Sequence, residues 1–275
     1  MIYLDGKWTE DSQAKISVLD LSVLRGFAIF DFLRTYGKKP FRLDDHIDRF
    51  LNSARLMGMT PIYSKEKIIK IVKEGIEKSG FAHTNIKLIQ TGGVSPDGFT
   101  PAEEQTFFIY FYEAHDYPQE IYTDGVALKT AQLMRQNPLV KTINYAASIV
   151  DVQKAKKSGA VDILHTDCNG NIYEGTRSNF FAIKNNVLIT AEDGILKGIT
   201  RKAIIEIAQE LAIPVAYRLI STSELSTMDE AFVSNSSQEV VPVVKIDEIK
   251  IGEGTVGLMT QKLIRLFKMK TVTVV

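Results

Sequence analysis

The first 40 residues alternate between apolar and polar positions with the period of two that is typical of β-strands. The stretch IYLDGKWT turns at Asp5-Gly6, and the stretch FAIFDFLRTYGKKPFRL turns near Gly37. An aspartate-glycine pair suits a tight hairpin turn because both positions accept positive φ angles. The pattern therefore predicts two β-hairpins at the start of the chain.

The alternation then gives way to a spacing of three and four residues, which is typical of amphipathic helices. One helix is predicted in LDDHIDRFLNSARLMG, ending at Gly58, and a second in KEKIIKIVKEGIEKSG, ending at Gly80. Two strand-like runs follow, NIKLIQTGG and QTFFIYFYEA, and then the polar, proline-containing stretch EAHDYPQE. These features predict a small α+β domain over residues 1–114 and a linker over residues 115–121.

Residues 122–275 are predicted to form a second, larger domain that is rich in short strands. A strand around VALKTAQL precedes a helix from about Asn144 to Lys157, and four short strands follow. The pairs Asn169-Gly170 and Asn185-Asn186 separate those strands and suit hairpins with positive φ. A helix near GITRKAIIEIAQELAI, strands at AFVSN and VVPVVKI, and a helix in GLMTQKLIRLFK complete the chain. Such a run of strands predicts a small barrel or a strongly twisted sheet.

Composition argues against several classes of function. The 275 residues carry 33 Lys plus Arg and 33 Asp plus Glu, so no overall field attracts nucleic acid or a membrane surface. No apolar run approaches about 18 residues and the first residues lack a signal-peptide pattern, so we expect a cytoplasmic protein without membrane spans. A single cysteine, Cys168, excludes an intramolecular disulfide, and the four scattered histidines argue against a metal site.

Lys141 differs from the other lysines in its sequence setting. A lysine is far more often a solvated surface charge than a catalyst. Lys141, however, follows Pro138, Leu139 and Val140 and precedes a predicted helix start. Apolar surroundings and the positive end of a helix dipole both favour the neutral amine, which is the form that attacks an aldehyde.

Glu174 lies in a predicted strand between Tyr173 and Gly175. On pattern alone it is a strand-edge carboxylate that faces water. The alternative is a buried carboxylate beside a cation, for example a protonated pyridinium. If Lys141 and Glu174 converge, they are the two groups that a pyridoxal phosphate enzyme needs, an amine for a Schiff base and a carboxylate for the ring nitrogen.

Five segments resemble, in order and spacing, the motifs of class IV aminotransferases, the pyridoxal phosphate enzymes of fold type IV. They are FRLDDHIDRFLNSA, VKTINY, NGNIYEGTRSNFF, LKGITRKAI and DEAFVSNSSQEVVPV. This family contains branched-chain aminotransferases, D-amino acid aminotransferases and aminodeoxychorismate lyase. The resemblance covers nearly the whole chain and implies an α+β fold with a small N-terminal domain and a larger barrel-like domain. It also implies the cofactor pyridoxal 5′-phosphate and a homodimer.

The resemblance assigns roles to three charged residues. Lys141 matches the catalytic Schiff-base lysine, Glu174 matches the carboxylate that bonds the pyridine nitrogen, and Arg49 matches the phosphate-binding arginine. Taken alone, Arg49 would be interpreted as an exposed helix arginine, although its fixed fork of donors suits a phosphate dianion.

Four further residues are implied as cofactor contacts. Ile199 and Thr200 match a helix N-terminus whose backbone N–H groups bind the phosphate, with the Thr200 hydroxyl as an added donor. Without the resemblance, Thr200 would be interpreted as an N-cap. Ser236 matches a hydroxyl residue that contacts the phosphate. Tyr145 matches a tyrosine that bonds the ring hydroxyl, although the segment after Lys141 is one residue shorter here.

The implied reaction is transamination in two half reactions. An amino acid displaces Lys141 from the cofactor, and the freed amine moves a proton from Cα to C4′, so that a 2-oxo acid is released. A second 2-oxo acid reverses the path. The partners are therefore small-molecule amino acids and 2-oxo acids.

The hand of the substrate depends on where its carboxylate is held. Because the Cα–H bond must point at the lysine, exchanging enantiomers exchanges the places of carboxylate and side chain. The loop LIQTGGVSPDGFTP lacks the arginine expected of D-amino acid enzymes, but Arg25 and Arg177 occur elsewhere. Our hypothesis is that these two arginines grip the α-carboxylate and favour D-amino acids. Alternatively, they pair with acids such as Asp31 or serve a dimer interface.

Two other reactions stay open at this stage. Phe27, Phe30 and Phe32 could line an apolar pocket for L-branched-chain amino acids, although at strand spacing they could also be core residues. A lyase acting on aminodeoxychorismate is the second alternative. A non-enzymatic binding module is least favoured, since it has no use for both Lys141 and Glu174.

Overall fold

The structure is a computed structural model that describes residues 1–273. The chain divides into two compact units. The first contains Met1–His115, Val140–Asn144 and, at the end of the described chain, residues 271–273, and the second contains Asp116–Leu139 and Tyr145–Lys270. The segment that carries Lys141 thus packs with the first unit, whereas the division made from sequence, at residues 114 and 122, stays a prediction.

The first unit is a six-stranded antiparallel sheet with two long helices. Its sheet order is β2-β1-β6-β5-β3-β4. The elements are β1 (Ile2–Leu4), β2 (Lys7–Thr9), α1 (Leu21–Arg25), β3 (Ala28–Tyr36), β4 (Lys39–Pro40), α2 (Leu43–Leu56), α3 (Lys65–Ser79), β5 (Thr84–Thr91) and β6 (Phe107–Glu113).

The two long helices and the two hairpins of this unit form where the residue pattern predicts them. Asp5 and Gly6 have φ angles of 41° and 90°, which closes the β1–β2 hairpin. Helix α2 buries Ile47 and Phe50 against the sheet, where they join Leu33 in one core. A stripe at positions three apart therefore becomes the buried face of the helix.

Helix α1 was not predicted, since residues 21–25 fell within a region expected to contain only strands. Asp20 caps this helix, because its Oδ1 accepts the backbone N–H of Ser22 at 2.7 Å. Its Oδ2 accepts the Thr91 hydroxyl at 2.7 Å, which anchors the cap to β5. Gly26, with φ of 66°, ends the helix in the left-handed conformation.

The second unit is built on a ten-stranded sheet. The elements are α4 (Glu120–Thr123), β7 (Val126–Gln132), α5 (Ala146–Lys157), β8 (Asp162–Thr166), β9 (Asn171–Gly175), β10 (Asn179–Lys184), β11 (Val187–Thr190), α6 (Ile199–Glu210), β12 (Val215–Tyr217), β13 (Ile220–Ser221), a 3-10 helix (Thr222–Thr227), β14 (Glu230–Asn235), β15 (Glu239–Ile246), β16 (Ile249–Lys250) and α7 (Leu258–Thr273).

Six of these strands close into a ring. They pair in the order β10-β14-β15-β7-β8-β9, and Asn179 of β10 pairs with Glu174 of β9 to complete the circuit. This matches the expected barrel-like sheet. Asn185 and Asn186, with φ angles of 49° and 61°, form the predicted turn between β10 and β11.

Within the described residues 1–273, no helix is long and apolar enough to cross a membrane. The same part of the chain contains no group of three His, Cys, Asp or Glu side chains that could hold a metal ion.

Candidate active site

Lys141 is fixed to the first unit through its backbone. Its carbonyl accepts the N–H of Phe30 at 2.8 Å, and the neighbouring Ile143 donates to the carbonyl of Ala28 at 3.2 Å. The segment thus runs along β3 like a short extra strand. The Lys141 side chain is partly buried, and its Nζ lies 4.6 Å from the centre of the Phe30 ring. An apolar ring beside the amine is the setting predicted from the residues that precede Lys141.

Arg49 is held by a buried carboxylate. Its Nε donates to Oδ2 of Asp31 at 2.8 Å and its Nη2 to Oδ1 at 2.9 Å. His46 Nδ1 lies 2.7 Å from the same Oδ1. Arg49 is therefore not an exposed helix arginine, because only 10% of its side chain is accessible and its fork of donors is fixed in direction.

Asp31 and His46 are electrostatically coupled inside this unit. Burial alone would raise the pKa of Asp31, but the positive charge of Arg49 and the contact with His46 outweigh burial and hold the pKa well below its usual range. Burial lowers the pKa of His46, although Asp31 opposes the shift. Asp31, held by His46, therefore fixes the direction of the Arg49 guanidinium.

Glu174 is buried in the second unit, with 3% of the residue accessible. Its Oε1 accepts Nη1 of Arg135 at 2.8 Å, and its Oε2 accepts the backbone N–H of Leu196 at 3.0 Å. The interpretation of Glu174 as a water-facing strand-edge carboxylate is therefore wrong. The alternative, a buried carboxylate beside a cation, is confirmed, and within the second unit that cation is Arg135.

No motif in the sequence indicates a role for Arg135. The residue follows β7, and its Nη1 also donates to the carbonyl of Pro138 at 3.1 Å. A buried carboxylate requires a compensating charge, so the burial of Glu174, had it been predicted, would have called for an arginine or lysine nearby. No sequence spacing indicates which of the 33 basic residues plays that part.

At the N-terminus of α6, the backbone of Gly198 lies very close to the Asn179 side chain. Gly198 is the N-cap, so the interpretation of Thr200 as the N-cap is wrong. A Cβ atom at Gly198 would lie 2.0 Å from Oδ1 of Asn179, which leaves no room for a side chain. Asn179 is held there because its Nδ2 donates to the carbonyl of Leu196 at 2.8 Å. Ile199 and Thr200 are buried in the first turn of the helix, whose backbone N–H groups suit an anion.

Two predicted cofactor contacts lie in less buried positions of the second unit. Ser236 begins the turn between β14 and β15, where the Asn235 side chain accepts the backbone N–H groups of Ser237 and Gln238 at 3.0 and 2.7 Å. Tyr145 is half-buried at the N-cap position of α5. Both positions are fixed by the ends of regular elements.

The two arginines proposed to grip a carboxylate are both exposed. Arg25 donates to the carbonyl of Leu24 at 3.1 Å. The alternative that Arg25 pairs with Asp31 is wrong, since Asp31 is completely buried and is bonded by Arg49 and His46. Burial raises the pKa of Asp162, and the charge of the nearby Arg177 opposes that shift. Arg177 thus has an acidic neighbour in its own unit.

Phe27, Phe30 and Phe32 are all half-buried in the first unit. Phe30 is the one beside Lys141. Its ring also lies 5.0 Å from Nζ of Lys87 on β5. The residue pattern does not indicate a role for Lys87, because an alternating strand pattern is the same whether a lysine lies above an aromatic ring or in water.

The chain is similar to known proteins over most of its length. The family model for Amino-transferase class IV matches residues 28–246. A Methanocaldococcus jannaschii protein named "Putative branched-chain-amino-acid aminotransferase" is 34% identical over 276 residues, covering 97% of this chain and 95% of that protein. D-alanine aminotransferase of Staphylococcus aureus (strain N315) is 30% identical over 267 residues, covering 95% and 94%.

Solved structures agree as well. A crystal structure of the T.th. branched-chain amino acid aminotransferase with pyridoxamine 5′-phosphate is similar to this chain with a TM-score of 0.93 and 28% identity. The match covers 98% of this chain and 93% of that chain. The predicted α+β architecture of fold type IV is confirmed. From the family match over residues 28–246, the chain belongs to the class IV aminotransferase family.

Proposed function

We propose that this protein is a pyridoxal 5′-phosphate-dependent aminotransferase that moves an amino group between an amino acid and a 2-oxo acid, with D-amino acid donors favoured. The observation that carries the proposal is the buried Glu174 carboxylate, which is held by Arg135 and by the Leu196 N–H. A carboxylate offers about four lone-pair positions, so it can accept a pyridinium N–H in addition to these donors.

The chain offers donors that suit each part of this cofactor. An aldehyde needs an amine, and Lys141 supplies one beside an apolar ring. A phosphate dianion needs fixed donors, and these are the Arg49 guanidinium, the α6 N-terminus with Thr200, and the Ser236 hydroxyl. The absence of a side chain at Gly198 lets the Asn179 side chain pack against the start of α6. Tyr145 completes the set as the proposed donor to the ring hydroxyl.

The residues divide the chemistry between them. When bound, pyridoxal phosphate supplies an electron sink for the bond that breaks at Cα. Lys141 would hold the cofactor through a covalent bond to its amine. Once freed, this amine would take the proton from the substrate Cα and deliver it to C4′. Glu174, fixed by Arg135, holds the ring nitrogen in its protonated form. Arg49, Thr200 and Ser236 bind the phosphate and prevent the cofactor from leaving.

Support for D-amino acid donors comes from Arg25 and Arg177, which we propose as the grip on the α-carboxylate, and from the D-alanine aminotransferase relative. L-branched-chain donors are the second candidate. The name of the Methanocaldococcus jannaschii relative and the half-buried Phe30 and Phe32 favour them.

We also propose a homodimer that acts in the cytoplasm. Several large apolar residues of the first unit are exposed, as expected of a surface that contacts a second copy. They are Val18, Leu19, Val23, Val94 and Phe99. Light scattering of the purified protein should give twice the mass of the 30.8 kDa chain, and a monomer would contradict this part of the proposal.

The function is tested with a donor panel and a covalent label. D- and L-alanine, glutamate and leucine are each supplied with a 2-oxo acid, and pyruvate release from aminodeoxychorismate tests the lyase alternative. Borohydride treatment of the yellow holoenzyme should label the peptide that contains Lys141, and Lys141→Ala should abolish both label and activity. A colourless protein that takes up no added cofactor would sink the proposal. Faster turnover of L-leucine than of any D-amino acid would reverse the proposed preference alone.

A further inference from the structure

Two lysines of the first unit lie against one aromatic ring. Nζ of Lys141 is 4.6 Å from the centre of the Phe30 ring, and Nζ of Lys87 is 5.0 Å from the same centre. Lys87 lies on β5, which pairs with β3 from Asn85 to Thr91. A second cationic group is therefore close to the amine proposed to do the chemistry.

Several half-buried lysines have an acidic partner, whereas Lys87 lies against an aromatic ring. Lys65 and Lys129, for example, form ion pairs of 2.8 Å with Asp48 and Glu248. Within residues 1–273, no carboxylate forms an ion pair with Lys87. Burial lowers its pKa, and no neighbouring anion opposes the shift. The aromatic face compensates part of the lost hydration of the ammonium group.

We propose that Lys87 binds the carboxylate of the amino acid or 2-oxo acid substrate. This inference rests on the proposed function. The substrate Cα–H must face Lys141, and the α-carboxylate is attached to that same carbon, so it lies within a few ångströms of the Lys141 amine. Nζ of Lys87 lies against the same Phe30 ring as Nζ of Lys141, so it is suitably placed to receive that carboxylate. The anion also supplies the partner that the half-buried ammonium group lacks.

Lys87 is compatible with a role for Arg25 and Arg177 in the same grip. A carboxylate has two oxygens and about four lone-pair positions, so several donors can share it. Lys87 also replaces the arginine that was expected, and not found, in the loop of residues 88–101 that follows it. A different explanation is that Lys87 only steadies the Phe30 ring. That role does not depend on the charge of a ligand.

The test compares a charged ligand with a neutral one of the same shape. The holoenzyme is titrated with 4-methylpentanoate and with 4-methylpentanamide, and binding is followed by calorimetry. The variants are Lys87→Met, which keeps length but removes charge, and Lys87→Arg, which keeps charge. Lys7→Met, an exposed lysine on β2 of the same sheet, is the matched control.

We expect the dissociation constant for 4-methylpentanoate to rise about tenfold or more in Lys87→Met, the loss of one charge-assisted hydrogen bond. Lys87→Arg should stay within a few-fold of the wild type, and Lys7→Met should not change. The amide should bind weakly and equally to all four proteins. Equal carboxylate affinity in Lys87→Met and wild type, or an equal loss for acid and amide, would overturn the inference.

Cofactor content is measured before each titration by absorbance and by borohydride labelling. If the wild-type protein contains no cofactor by these measurements, the proposed function is overturned, and so is the role of Lys87 that rests on it. A wild-type protein that passes, followed by unchanged carboxylate binding in Lys87→Met, overturns the role of Lys87 alone.

Discussion

Arg135 and Glu174 form an ion pair in the second unit, with 2.8 Å between Nη1 and Oε1, in which the glutamate is buried and the arginine is half-buried. Only 5% of the Glu174 side chain is accessible, so water compensates little of its charge. Arg135 also bonds the carbonyl of Pro138, three positions before Lys141 in the sequence. The arginine therefore fixes the direction of the carboxylate and the course of the chain that leads to the proposed Schiff-base lysine.

Removing Arg135 should destabilise the apoprotein strongly. Arg135→Gln leaves Glu174 buried without its cation, and such a loss costs about 3 kcal/mol. Arg135→Lys keeps the charge and should lose less. If Glu174 bonds the cofactor's ring nitrogen, pyridoxal phosphate restores a cation beside it. The cofactor should then raise the melting temperature of Arg135→Gln more than that of the wild type, as measured by differential scanning fluorimetry.

The matched control is a second arginine–glutamate pair in the same unit. Arg218 bonds Glu224 at 2.9 Å, but both side chains are about 40% exposed. Arg218→Gln should cost roughly 0.5 kcal/mol and leave the response to cofactor unchanged. An identical cofactor-induced shift in the wild type and Arg135→Gln would show that Glu174 does not face the ring nitrogen.

Periodicity predicts the parts of this fold whose stability comes from one buried face. The stripe containing Ile47 and Phe50 locates α2, and the pair Asn185-Asn186 locates a hairpin, because both signals are local. Helix α1 escapes prediction because it is only five residues long. What stabilises it is the contact of Asp20 with Thr91, 71 positions away, and no local pattern contains that information.

The same distinction applies to the candidate site. Lys141, Glu174 and Arg49 can be selected from sequence because they fall in recognisable motifs. Lys87 and Arg135 cannot, since each is distinguished only by its surroundings in the folded chain, an aromatic ring in one case and a buried carboxylate in the other. Spacing along the chain does not report the burial of a charge.

Two buried histidines should make the apoprotein less stable in acid. Burial lowers the pKa of His46, and burial together with the charge of Arg135 lowers the pKa of His165 to about 4. Both are neutral when folded, whereas an unfolded histidine takes up a proton below about pH 6.5. The unfolding free energy should therefore fall as the pH decreases below 6.5, by up to about 1.4 kcal/mol per pH unit for each histidine, and for His165 this fall extends towards pH 4.

Urea unfolding at a series of pH values measures this slope. His46→Gln and His165→Gln should each flatten the curve between pH 6.5 and 4, whereas the exposed His115→Gln should leave it unchanged. Asp31 affects the unfolding free energy at lower pH than the two histidines do. Because its folded pKa is lowered, its contribution is complete above about pH 4 and is lost below that value. A slope that is the same in all three variants would contradict this account.

Arg25 and Arg177 should act on substrate binding without affecting the cofactor. Both side chains are exposed, so alanine replaces them at little cost to stability. If they grip the α-carboxylate, each alanine variant should raise KM for the amino donor about tenfold, with bound cofactor unchanged. Arg55→Ala, an exposed arginine on α2, is the control. Wild-type kinetics in both variants would dispose of the proposed grip.

The last prediction concerns the close approach of Gly198 and Asn179. Gly198 has φ of −67°, which any residue can adopt, so a Cβ atom there is opposed chiefly by the Asn179 oxygen at 2.0 Å, with Arg201 Cβ further away at 3.3 Å. Gly198→Ala should therefore cost about 1–3 kcal/mol in unfolding free energy. It should also weaken pyridoxal phosphate binding, because the first turn of α6 must shift.

A double-mutant cycle separates this clash from other effects. Asn179→Ala alone loses its bond to the Leu196 carbonyl and should destabilise the protein by about 1 kcal/mol. In the Gly198→Ala background the same change removes the clashing oxygen, so the double variant should be more stable than the sum of the two single losses implies. Unfolding free energies and cofactor dissociation constants of the four proteins measure the coupling. Strict additivity would mean that Asn179 is not what keeps position 198 free of a side chain.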